Sequence, residues 1–95
     1  MRTIDVELNG KKGVGIEVPL PKASLVLVKG KNGFVMCGYL NVEVAEKMGE
    51  AAAVVRGVKT VDDLLSANVV AATTAAQAQG VQIGMTGKEA LTHLL

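Results

Sequence analysis

The chain has 95 residues, of which 49% are hydrophobic and 20% charged, with a formal net charge of +1. That balance excludes a disordered tail, and a near-neutral charge with only two aromatic side chains, Phe34 and Tyr39, excludes a basic nucleic-acid face or a base-stacking platform. The single cysteine, Cys37, excludes an internal disulfide and suits a reducing compartment. No run approaches the roughly 18 apolar residues of a membrane span, and charges from Arg2 onward break any leader-like stretch. The expectation is a cytoplasmic chain, with residues 1–95 forming one α+β domain and no membrane or nucleic-acid partner.

In chain order, Ile4, Val6 and Leu8 alternate with Thr3, Asp5 and Glu7, and Val14, Ile16, Val18 and Leu20 alternate with Gly13, Gly15 and Glu17. Asn9-Gly10 between them is a strong hairpin signal, since both residues tolerate positive φ. The alternation predicts antiparallel strands near 2–9 and 13–20 with one apolar and one charged face. Pro19 and Pro21 close the second strand. Leu25-Val26-Leu27-Val28 and Phe34-Val35-Met36-Cys37, around the turn Gly30-Lys31-Asn32-Gly33, predict strands near 24–29 and 33–39. Both are continuously apolar, which requires burial on two faces. A chain this short has helices for one face only, so the β-rich segment over residues 1–40 is expected to pack on copies of the same chain.

Asn41 is a fair N-cap for a helix near 42–51, followed by a strand near 53–57. Thr60 caps a helix near 61–66, whose first turn holds Asp62 and Asp63 where the helix dipole favours acids. Small side chains from Val69 onward predict a helix over 69–79, stopped by Gly80. Thr86-Gly87-Lys88-Glu89 has the spacing of a capping box opening a last helix over 87–94. The same stretch fails as a phosphate loop, because Gln82 stands where the first glycine belongs and Glu89 follows the lysine.

Cys37 is the candidate for chemistry. It ends an apolar strand just before Gly38 and a helix start, a setting that can activate a thiol, although a buried free cysteine serves equally as a small hydrophobe. Gly38, Asn41, Arg56 and Thr73 are the candidate ligand contacts around it, with Arg56 either clamping a carboxylate or bridging to Asp62 or Asp63. The one histidine, His93, sits two residues from the end. One His and one Cys cannot complete a tetrahedral zinc site, and Glu43, Glu46, Glu50, Asp62 and Asp63 have the pattern of solvated helix charge. No metal and no cofactor is expected.

Three blocks in register carry a family resemblance. Gly33-Phe34-Val35-Met36-Cys37-Gly38-Tyr39-Leu40 is the first. Gly57-Val58-Lys59-Thr60-Val61-Asp62-Asp63-Leu64-Leu65 is the second. Gly80-Val81 with Gly84-Met85-Thr86-Gly87-Lys88-Glu89-Ala90-Leu91 is the third. Over about residues 4–92 the chain resembles the YunC-like family of uncharacterised bacterial and archaeal proteins. The resemblance implies an N-terminal β region that mediates tetramerisation and a mixed α/β remainder, and it implies no activity. Asn41 departs from the acidic residue expected in many relatives. Two functional readings follow: a homo-oligomeric small-ligand-binding or scaffold module, and a small enzyme with a thiol-dependent site at Cys37 near a subunit boundary.

Overall fold

The computed structural model describes residues 1–95. Its strands are β1 (Arg2–Leu8), β2 (Lys11–Pro19), β3 (Ser24–Lys29), β4 (Phe34–Met36), β5 (Ala52–Val54) and β6 (Ala71–Ala72). They form one sheet in chain order, and every neighbouring pair is antiparallel except β4–β5. The helices are α1 (Val42–Lys47), α2 (Val61–Ser66), α3 (Thr74–Ala78) and α4 (Gly87–Leu94). This is the expected α+β architecture: an N-terminal antiparallel sheet, then helices.

The Asn9-Gly10 hairpin forms as expected, with φ of 54° and 79° at its two central residues. The two-residue turn sets Leu8 opposite Lys11, Val6 opposite Gly13 and Ile4 opposite Gly15. Paired residues share a face, so the apolar residues of β1 and those of β2 point to opposite sides of the sheet. The expected single apolar face is therefore corrected: alternation sets the period of each strand, and the turn sets the phase between them. The inner face carries Ile4, Val6 and Leu8 beside Gly13, Gly15 and Glu17, and the outer face carries Val14, Ile16 and Val18.

The inner face holds the main core. Val26, Val28, Val35, Ala53 and Val55 pack against Val61 and Leu64 of α2 and Ala90, Leu91 and Leu94 of α4. Gly15 is what lets α2 approach β2, since a Cβ there would stand 2.7 Å from a Val61 methyl. Glu17, on this same face, is buried, and its carboxylate is satisfied twice. It accepts from the Val61 N–H at the start of α2 at 2.7 Å and pairs with Arg2 at 3.4 Å. A carboxylate in an apolar layer is tolerable only when bonded in this way.

On the outer face, α1 lays Ala45 over Met36, Ala52 and Val54. Val14, Ile16 and Val18 belong to neither apolar cluster and stay half-buried. They continue across the register Ile16–Leu27–Met36 toward Val44 and Met48, which are 52% and 71% exposed on α1.

Two helices are shorter than expected. The chain turns back after α1 at Gly49, whose N–H bonds the Glu46 carbonyl, so α1 stops at Lys47. The helix expected over 69–79 is reduced to Thr74–Ala78. Ala71 and Ala72 instead pair with Val54 and Ala53 as β6, and Val70 N–H bonds the Val54 carbonyl. The free edge of β5 needs partners for its backbone groups, and the β-branched pair Val69-Val70 favours the extended chain that supplies them.

The capping box at α4 forms as expected. Thr86 N–H and hydroxyl each donate to Glu89 Oε1 at 3.1 Å. These two bonds, the backbone one first, hold the Glu89 carboxyl below its ordinary value. The unfolded chain lacks them, so their stabilisation is in place above the usual glutamate range near about 4.3. It is lost as pH falls through the lowered folded value. Urea unfolding of Glu89→Gln and the parent should differ most near neutrality and converge in acid. A gap that stays constant down to about pH 2.5 would refute the linkage.

Candidate functional site

The parallel pair β4–β5 is joined through α1, and the chain leaves the two strand ends in opposite directions. After β4 it passes to α1 on the outer face, and after β5 to α2 on the inner face. A crevice opens outside the carboxyl ends of two parallel strands when their connections diverge in this way. Here it is a shallow pocket of about 330 Å³. Cys37, Gly38 and Tyr39 line it from the end of β4, Arg56, Gly57 and Val58 from the end of β5, and Ala23 and Ser24 from the start of β3.

Each wall has a local cause. Cys37 extends β4 by one rung, its N–H bonding the Val26 carbonyl, while its Sγ accepts the Val26 N–H at 3.3 Å. The sulfur belongs at once to the apolar core and to the pocket floor, with 3% of the residue exposed. Gly38 lies against the stem of Arg56, whose Cγ is 3.6 Å from where a Cβ would stand, an ordinary contact distance. Gly57, at φ +73°, swings the chain off β5 toward α2.

Arg56 forms no ion pair. The expected bridge to Asp62 or Asp63 is absent, and Asp63 instead accepts the Lys59 N–H at 3.1 Å. The backbone N–H groups of Gly38, Tyr39, Arg56 and Gly57 likewise have no bonding partner within the chain. No acidic side chain lines the pocket.

Of the candidate residues, the fold brings Cys37, Gly38 and Arg56 together and places the others elsewhere. Asn41 is exposed and caps α1, accepting the Glu43 N–H at 2.8 Å. Thr73 lies at the opposite end of β5, beside Ala52, with its hydroxyl occupied by three hydrogen bonds. His93 packs on Gly80 at the end of α4, away from the pocket. No three His, Cys, Asp or Glu side chains converge as a metal-binding group. Ser24, Tyr39, Gly57 and Val58 carry no local motif that marks them as pocket residues. For Tyr39, Gly57 and Val58 the signal that could have found them is the strand–helix–strand pattern of residues 33–57, since a parallel crossover marks its strand ends as a binding position.

Residues 36–94, which include both strand ends and every helix, match the family described as a domain of unknown function, DUF1805, and the chain belongs to that family. It is 34% identical over 94 residues to the uncharacterized protein YunC of Bacillus subtilis (strain 168), covering 95% of this chain and 93% of that one. It is also similar to the crystal structure of a protein of unknown function, TA1206 from Thermoplasma acidophilum. The TM-score there is 0.94 at 39% identity, over 99% of this chain and 92% of that one.

Proposed function

We propose that the chain is a homo-oligomeric small-ligand-binding module of the cytoplasm, assembled through the outer face of its sheet. One observation carries the reading: the hairpin register turns Val14, Ile16 and Val18 away from the core onto a face that α1 covers only at its β4–β5 end. A continuous apolar stripe on a small domain is the kind of surface that copies of a chain bury against one another. The lone unpaired thiol supports the reducing compartment, and the crevice at the ends of β4 and β5 supplies the ligand position. Sedimentation velocity at micromolar concentration is expected to give a multiple of the chain mass, a tetramer being the number the YunC-like resemblance implies. A folded species of single-chain mass would overturn the reading.

A thiol-dependent enzyme is the second reading, favoured by the placement of Cys37 on the crevice floor beside Arg56. It requires the sulfur to be reachable. Iodoacetamide labelling at neutral pH decides the matter. The binding-module reading expects Cys37 to be protected at least tenfold in the folded protein relative to the unfolded chain, because the residue is almost wholly buried. Folded-state labelling as fast as in denaturant would instead give the thiol the access that catalysis needs.

A further inference from the structure

Resting on the small-ligand reading, we infer that the crevice between the ends of β4 and β5 takes a small organic acid, its carboxylate on Arg56 and its short apolar body on the pocket walls. Three observations carry this. The connections from β4 and β5 leave on opposite faces, which creates the crevice without any special loop. Its one charged group is the Arg56 guanidinium, which makes no ion pair or hydrogen bond, and the N–H groups of Gly38, Tyr39 and Gly57 have no partner within the chain, beside the hydroxyls of Ser24 and Tyr39. Its remaining walls are mainly apolar, with Ala23, Cys37 and Val58 lining it alongside the Tyr39 ring and no acid among them.

Together these features select the ligand. A planar carboxylate matches the guanidinium fork with two parallel hydrogen bonds, and adjacent free N–H groups add to its anion preference. A fully hydrated inorganic anion would leave the apolar walls unused. A neutral polar molecule would leave Arg56 without a counter-charge. At about 330 Å³ the pocket has room for a short-chain acid. Gly38 adjoins the Arg56 side chain, whose Cγ lies 3.6 Å from the position a Cβ would take.

Amide chemical shifts of the ¹⁵N-labelled full chain, recorded at constant ionic strength, test the inference with three probes: sodium butyrate, inorganic phosphate and butanamide. Butyrate is expected to shift the Gly38 and Gly57 amides saturably. Arg56→Gln should weaken that binding at least tenfold, and Arg56→Lys should fall between, because an ammonium lacks the fork. Arg56 is exposed, so resonances outside the pocket report that both variants stay folded. Butyrate shifts unchanged by Arg56→Gln overturn the assignment of the anchor. Butanamide acting as well as butyrate, or phosphate binding more tightly, overturns the organic-acid class while leaving a small-ligand pocket in place. No response to any of the three overturns both.

Discussion

On the proposed assembly through the outer face, Ile16→Glu is expected to yield folded single chains. Ile16 sits mid-strand on the outer face, opposite Leu27, which in turn opposes Met36. In a lone chain this side chain is only half-buried, so a glutamate there meets water and should cost about 1 kcal/mol or less of chain stability. At an interface between copies it would be an unpaired charge in an apolar layer, a loss of about 3 kcal/mol or more. That is roughly a hundredfold or greater rise in the dissociation constant. Leu27→Glu should act in the same way. Light scattering after size exclusion reads the mass, and circular dichroism reads the fold. If both variants keep the parent mass, the copies meet elsewhere.

Thr73→Val is the second large effect, and it acts on stability. Thr73 is 1% exposed; its hydroxyl donates to the Glu50 carbonyl at 2.7 Å and accepts from the Ala52 N–H at 3.0 Å and the Ala76 N–H at 3.2 Å. It therefore ties together the entry to β5, the end of the α1 connection and the first turn of α3. Valine keeps the shape and leaves three polar groups unmet in or near the core. Each such loss costs about 1–3 kcal/mol, with incomplete additivity. An overall loss of about 3 kcal/mol is expected, out of the roughly 5–15 kcal/mol typical of a domain. Thr73→Ser should stay within about 1 kcal/mol of the parent. Urea midpoints at one fixed protein concentration measure both, since assembly also shifts apparent stability. Equal midpoints for valine and threonine would remove Thr73 from the frame of the fold.

Local signals in the sequence announced the elements well and their arrangement less completely. Asn9-Gly10, the Thr60 cap and the Thr86–Glu89 box each depend on neighbours within a few residues, and each is formed as expected. The strand at Ala71–Ala72 depends on the open edge of β5, far away in sequence, and short-range propensity could not report it. Glu17 illustrates the same limit. Its alternation with Ile16 and Val18 suggested a solvated face, yet it is buried and accepts the Val61 N–H. At the candidate site, residue chemistry picked out Cys37, Gly38 and Arg56, and the fold gathers these three. Asn41 and Thr73 have the polarity of caps, which they supply where the helices need them rather than at the crevice.

The two-residue turn at Asn9-Gly10 ties the two faces of the sheet together through a single parity rule. Counting from that turn, the step that puts a carboxylate under α2 is the same step that puts three β-branched side chains on the far side of the sheet. A slip of β2 by one residue against its neighbours would reverse both at once, drawing the apolar trio inward and stranding the Val61 amide. A change of register in this hairpin is therefore all or nothing, whereas a point substitution on the outer face, such as Ile16→Glu, leaves the bond between Glu17 and the Val61 amide in place.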